Sequence, residues 1–239
     1  LEESLLRAKI PYDIVGGVSF YERKEVKDLL AYLRVAAGRD LDGDAVRRCI
    51  NTPFRFLGAK FVERLMKRAA QETRHTTAPN WRDIVVEVVK EAGLQSRQRS
   101  SALEWAALVE TVVTDIQATV QAADGEVVNA RSKPSNVLNW IINRTQYIQA
   151  IERDEGSESI ENSGAANVRE LVRVACMYDT VGALLDYIEK TIAESRKQRR
   201  DGQQGGDRVL LMSIHRSKGL EWPHVWVIGC NERILPHAK

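Results

Sequence analysis

Apolar residues recur at three- and four-residue spacing along most of this 239-residue chain, the period that places them on one face of an α-helix. The clearest run is residues 22–37, where Val26, Leu29, Leu30, Leu33 and Ala37 share a side. The same pattern predicts helices over 45–50, 59–72, 80–92, 101–123, 137–151, 166–177 and 181–195. Residues 1–9 read as the end of another helix, with Leu5 and Leu6 on its apolar side. Pro11 is expected to stop it, because proline disfavours the α conformation in the residue before it. Residues 38–43 form a break, and Asp42 or Asp44 is placed to cap the helix that follows. Thr52-Pro53 and Lys133-Pro134 punctuate the helical region.

The ends of the chain follow a different pattern. Residues 12–15 are a short β-type run closed by Gly16-Gly17. Residues 209–214 and 224–230 are apolar β-type runs on either side of a polar turn. Between helices, residues 154–164 are rich in Glu, Ser, Asn and Gly and read as a mobile surface loop. Residues 196–206 read as a basic helix end followed by a flexible linker. The expected fold class is therefore mainly α, with a helical insert flanked by two partial α/β segments. The flanks, roughly 40 and 30 residues, are too small to fold well apart and are expected to form one layer together. The chain begins inside a helical pattern and stops just after a strand, so it reads as a piece of a longer gene product.

Composition narrows the function classes. The hydrophobic fraction of 44% suffices for a core, and the net charge of +2 signals no general affinity for nucleic acid. Any such site has to come from a local patch. No apolar run approaches the roughly 18 residues that span a bilayer, and no signal peptide is visible, so a soluble cytoplasmic protein with no membrane partner is expected. Cys49, Cys176 and Cys230 are far apart and form no Cys-x-x-Cys pair, as expected of reduced thiols. His215, His224 and His237 fall in one stretch but lack metal-ligand spacing, and the Asp40, Asp42, Asp44 turn lacks the distal Glu of a calcium loop. No metal site is expected. Trp81, Trp105 and Trp140 read as packing residues.

Three segments carry chemistry. In the first, Leu211-Met212-Ser213-Ile214-His215-Arg216-Ser217-Lys218-Gly219-Leu220-Glu221-Trp222-Pro223, a buried-type strand delivers a charged loop. Lys218 can reach a phosphate as a point charge while Gly219 lets the backbone come close. Glu221 can accept a hydrogen bond from a sugar hydroxyl, and Trp222-Pro223 stiffens the exit. The second segment, residues 10–28, joins a strand, a diglycine turn and a helix that opens with Arg23 and Lys24. Cations at a helix start oppose its dipole, which points to partners elsewhere. The third, residues 47–60, has two short helices flanking a turn with Arg55, Gly58 and Lys60. Backbone N–H groups at a helix start plus basic side chains can contact phosphates without reading sequence. A purely structural turn is the alternative.

These segments resemble, in order, motif V, motif IVa and the Asn-x-Pro-x-Arg-Gly-Ile-Gly element of the UvrD/Rep/PcrA family of superfamily 1 DNA helicases. Later pieces, Leu138 to Tyr147, Glu161-Asn162, Ala166 to Leu171 and Leu184 to Ile188, follow the order of the family's inserted domain. The resemblance covers essentially the whole chain. It implies part of the RecA-like motor domain 2A over residues 1–38, the helical domain 2B over 39–200, and linker plus return to 2A over 201–239. It implies that Lys218, Gly219 and Glu221 contact nucleotide, with Lys218 near the γ-phosphate of ATP and Glu221 near the ribose. It assigns His215, Arg55, Gly58, Lys60 and His237 to DNA. One departure stands out: Phe56 occupies the first glycine position of the Gly-Ile-Gly turn, which puts the closest approach of duplex DNA in doubt.

The chain carries no Gly-Lys-Ser/Thr phosphate loop. It also lacks the acidic magnesium motif, and the family's motif VI is expected beyond Lys239. The resemblance thus implies a piece of an ATP-dependent helicase, translocating 3′ to 5′ and unwinding duplex DNA, with no complete catalytic set of its own. ATP and Mg2+ would serve the full-length protein, and none is expected bound to this piece. Its partners would be single-stranded DNA, a duplex junction and the missing domains 1A and 1B. The insert would swivel about residues 38–44 and 202–206. The rival reading is a helicase-derived DNA- or protein-interaction module without a motor.

Overall fold

The computed structural model describes residues 1–15, 18–40, 42–72, 79–91, 93–117, 120–122, 125–127, 130–155, 164–201 and 207–230. In chain order the elements are α1 (Glu2–Arg7), β1 (Tyr12–Ile14), α2 (Lys24–Ala36), α3 (Asp44–Cys49), α4 (Ala59–Glu72), α5 (Trp81–Glu91), α6 (Ser96–Gln117), β2 (Val120–Ala122), β3 (Gly125–Val127), α7 (Pro134–Thr145), α8 (Tyr147–Glu155), α9 (Gly164–Ala175), α10 (Val181–Asp201), β4 (Val209–Leu211) and α11 (Ile214–Ser217). The protein is mainly α, as the periodicity implied. Its contacts divide it into two units, residues 19–201 and residues 1–18 with 202–239.

The helical unit is organised around α2. Val26, Leu29, Leu30, Leu33 and Val35 are buried, and so are Tyr32 and Asp28. A helix buried all round belongs at the centre of a bundle, and α2 packs on α3, α6, α7, α9 and α10. These contacts place it in the unit of residues 19–201. The Gly38 break is real: Gly38 takes φ +67 and the Arg39 N–H donates to the Arg34 carbonyl, which closes the helix end. It is a turn inside the unit.

Two polar networks pin these helices. Asp28 is 3% exposed; it pairs with Arg48 of α3 at 2.6 Å and accepts a 2.7 Å hydrogen bond from the Tyr147 hydroxyl of α8. Burial and the neighbouring Asp28 carboxylate push the Tyr147 hydroxyl well above its usual pKa. Arg23 donates to Asn167 of α9, whose amide donates to Glu25. The partner that the misplaced-looking Arg23 serves therefore lies in this chain, 144 residues away. Trp81 and Trp105 are buried edge to face at 6.4 Å, where α5 meets α6. Trp105 also neighbours Cys49, whose thiol is pushed up to about 12 by burial.

Several boundaries differ from the periodic reading. The cap of α3 is Asp40, not Asp42 or Asp44: its carboxylate accepts from the N–H groups of Ala45 (3.0 Å) and Val46 (2.8 Å). Gly43 sits between them at φ +73, where a Cβ would lie 2.5 Å from the Met66 sulfur. The single helix expected over 137–151 is two, because Gln146 is left-handed (φ 52). That break lets Tyr147 start a new helix and reach Asp28. α6 begins at Ser96, five residues before the apolar period, and ends at Gln117. β2, paired antiparallel with β3 so that Val120 stands opposite Val127, takes residues that the periodicity assigned to helix. Residues 156–163, within the expected mobile loop, and the linker 202–206 lie outside the described residues.

In the other unit β1 and β4 pair in parallel, with Tyr12 opposite Val209 and Ile14 opposite Leu211. Arg208 donates to Asp13 across the pair at 3.1 Å. α1 ends before Pro11 acts. Lys9 is left-handed (φ 53), and the Ile10 N–H donates to the Leu5 carbonyl at 2.9 Å, a helix-ending motif of its own. The expected strand over 209–214 stops at Leu211, and Ile214–Ser217 forms one helical turn instead. Residues 224–230 form no strand, and Val225, Trp226, Val227 and Ile228 are exposed. A parallel strand needs hydrogen-bonding neighbours, and the described residues offer this run none.

Candidate nucleic-acid turn and nucleotide loop

The turn at residues 51–58 is built from the inside outward. The Arg55 guanidinium is directed into it. Its Nη1 lies within hydrogen-bond reach of the carbonyls of Cys49 (3.1 Å), Ile50 (3.2 Å), Thr52 (2.9 Å) and Pro53 (3.3 Å). Its Nη2 donates to the Tyr32 hydroxyl at 2.6 Å, and that hydroxyl donates to the Thr52 carbonyl at 2.6 Å. Burial raises the Tyr32 hydroxyl pKa further than the Arg55 charge lowers it, so the hydroxyl stays a donor. Asn51 completes the frame, its side-chain oxygen accepting from the N–H groups of Arg55 (2.7 Å) and Leu57 (3.4 Å). A guanidinium satisfied by the ends of a preceding helix organises the turn.

Phe56 adopts φ +62. This left-handed conformation is the one glycine takes freely, and it costs an L-residue about 1 kcal/mol or more. The doubt raised by Phe56 thus concerns its side chain, since its backbone follows the path open to glycine. At Gly58 a Cβ would meet nothing within 4 Å, so the backbone there is open to a ligand. Gly58 leads into α4, and its carbonyl accepts from the Phe61 N–H at 3.0 Å.

Two helix starts converge here. The Gln98 amide of α6 donates to the Phe56 carbonyl at 2.9 Å, and the Arg97 guanidinium lies 3.8 Å from the centroid of the Phe56 ring. Neither α4 nor α6 has an acidic residue in its first turn. Lys60 and Arg64 on α4, and Arg97 and Arg99 on α6, are all exposed. Positive helix ends and four exposed cations add, and they outnumber the exposed Glu63 that lies between Lys60 and Arg64. The patch suits a polyanion held through its phosphates. Of the residues expected at DNA, Gly58 and Lys60 lie on this open side while the Arg55 guanidinium faces the turn. Phe54, Arg97 and Arg99, which were not among the residues expected at DNA, are exposed here as well. The available signal was a helix start rich in arginine and free of acids, hidden because residues 95–100 are polar throughout and carry no apolar period.

The second candidate is the loop after β4. Lys218, Gly219 and Glu221 are exposed, and His215 is exposed on the preceding helical turn. The Leu220 N–H donates to the Ser217 carbonyl at 3.0 Å, and the Ser217 hydroxyl to the Ile214 carbonyl at 2.8 Å, so the loop is internally held. Gly219 takes φ +80 with open space where a Cβ would stand. Glycine is needed here for conformation, and the same openness admits a ligand. In open α/β sheets ligands bind beyond the carboxyl ends of parallel strands, and this loop leaves such an end. His237 and the diglycine Gly16-Gly17 lie outside the described residues. Among the described residues no three His, Cys, Asp or Glu side chains gather as a metal would need. Nor, among them, is any helix long and apolar enough to cross a membrane.

The sequence profile of the UvrD-like helicase C-terminal domain matches residues 1–239. The chain is 28% identical over 244 residues to "ATP-dependent DNA helicase PcrA" of Staphylococcus epidermidis (strain RP62A), covering all of this chain and 30% of that protein. It is 26% identical over 246 residues to the protein of the same name from Bacillus subtilis (strain 168), and 27% identical over 247 residues to that of Staphylococcus aureus (strain Mu50), with the same coverage. The chain thus spans about 30% of the length of these relatives.

Proposed function

We propose that this chain, which belongs to the UvrD-like helicase C-terminal domain family, works within an ATP-dependent DNA helicase that translocates 3′ to 5′ on a single strand and opens duplex DNA. The observation that carries this reading is the loop beyond β4. There a lysine, a left-handed glycine and a glutamate are exposed together at the carboxyl end of a parallel strand. In the proposed mechanism Lys218 stabilises negative charge on the terminal phosphate of ATP. Gly219 lets the phosphate approach the backbone, and Glu221 accepts a hydrogen bond from a ribose hydroxyl. His215, one helical turn earlier, contacts the single strand, so the loop couples nucleotide state to grip on DNA. ATP supplies the free energy. We assign Mg2+ no ligand in this chain, and phosphate-loop chemistry belongs to other parts of the helicase.

The helical unit supplies the duplex grip. Gly58, Lys60, Arg64 and the start of α4 hold backbone phosphates, and Arg55 keeps the turn in shape for them. In this assignment residues 39–200 act as domain 2B, with 2A on either side. The test is Lys218→Ala in the full-length protein. DNA-stimulated ATP turnover should fall about tenfold or more, with the unfolding temperature unchanged. Wild-type turnover in that variant would remove the phosphate role.

A further inference from the structure

Phe54 is 69% exposed, although it stands in a turn held by the hydrogen bonds of Arg55 and Asn51. Its ring leans on Phe56, with centroids 4.6 Å apart at 60°. Phe56 in turn is covered by the Arg97 guanidinium. The stack therefore runs from Arg97 through Phe56 to Phe54, and Phe54 is its solvent-facing end. A hydrophobic ring left in water gains nothing for folding, and Phe56 holds its place only by accepting a left-handed backbone. A strained residue supporting an exposed ring points to a task outside the fold.

The surroundings select the partner. Lys60, Arg64, Arg97 and Arg99 are exposed around two helix starts whose first turns carry no acid, and they outnumber the exposed Glu63 on α4, a field that favours a polyanion. An aromatic ring beside phosphate-binding cations is the recipe for stacking a nucleobase. Inside a duplex both faces of each base are already covered by neighbours. Only a terminal base or an unpaired base offers a free face. We propose that Phe54, backed by Phe56 and Arg97, is a stacking platform for the nucleobase with a free face at the mouth of the duplex held by this turn. The inference rests on the duplex-gripping role of the helical unit proposed above, and it adds a contact with a base to contacts with phosphates.

The test uses the full-length protein and two DNAs of equal duplex length. One is a fork with 2-aminopurine as its first unpaired base. The other is a dumbbell closed at both ends by non-nucleotide stilbene linkers, which stack on the terminal pairs and leave no base face free. Phe54→Ala should weaken fork binding about tenfold and change the 2-aminopurine emission on binding, while leaving the dumbbell affinity as in the wild type. Phe54→Trp should restore both fork readouts. A blunt duplex carrying 2-aminopurine in its last pair separates a terminal base from an unpaired one, and response to either supports the platform. Unchanged fork affinity and emission in Phe54→Ala would overturn it, as would an equal loss on fork and dumbbell, which would make the ring part of the turn's fold. Lys60→Ala with Arg64→Ala tests the underlying grip separately: it should weaken both DNAs and flatten the salt dependence. If those losses appear while Phe54→Ala does nothing, the platform fails and the grip stands. If the basic variant loses nothing on either DNA, both fail.

Discussion

The two units treat their apolar residues in opposite ways. In the helical unit Leu29, Leu33, Leu65, Trp105, Leu138, Leu171 and Leu184 are buried to 1% exposure or less. In the strand-bearing unit Ile214, Leu220, Val225, Val227 and Ile228 stand more than half exposed, and Trp226 is 80% exposed. The difference lies in what each element demands. A helix satisfies its backbone internally and needs only side-chain neighbours. A strand needs hydrogen-bonding partners beside it and a layer over it before its side chains are covered. The helical unit contains what its sequence asks for, and the described part of the other unit does not.

Three substitutions break or sharpen that contrast. The largest effect is expected for Trp105→Ala, which empties the junction of α5 and α6 and should lower stability by about 3–5 kcal/mol, read from denaturant unfolding of the helical signal. Asp28→Ala comes next. It leaves the Arg48 charge and the buried Tyr147 hydroxyl without their shared partner, and a loss of about 3 kcal/mol is expected. A small effect there would mean that water reaches Arg48 and replaces the carboxylate. The smallest effect is expected for Trp226→Ala in the 239-residue chain, within about 0.5 kcal/mol, because the ring touches little besides His224, 6.2 Å away. A large loss at Trp226 would show that residues 224–230 find partners in solution and would erase the contrast.

The helices were legible wherever one face is buried and the other solvated. The bounds of α4 coincide with the sequence reading, and those of α5 and α3 differ by a residue at each end. The misses have specific causes. α6 starts in a polar stretch because its first turn is solvated, and apolar spacing carries no signal there. The single helix drawn over 137–151 hid the left-handed Gln146, because its position depends on Tyr147 reaching Asp28, a residue 119 positions away. Asp40 could not be chosen over Asp42 and Asp44 by spacing, since all three precede α3 and only the path of the chain through Gly43 decides which carboxylate faces the helix start.

For function the division is similar. The charged loop around Lys218 and the basic turn around Arg55 were visible as residue types at fixed spacing, because local chemistry is written in consecutive positions. Which way those side chains face was not. Arg55 and Lys60 are both basic and five positions apart, yet one guanidinium is consumed by four carbonyls of its own turn while the other charge meets solvent. Arg97 comes to that turn from a helix starting some 40 residues later, carried there by the packing of α4, α5 and α6. The sequence by itself determined the helical class, the order of motifs and the family to which the chain belongs, all of which follow from local pattern. Only the tertiary structure decided which cations are spent inside, which rings are left outside, and that Phe56 holds a glycine's backbone. Those outcomes depend on which surfaces packing covers, and packing joins residues that the sequence keeps far apart.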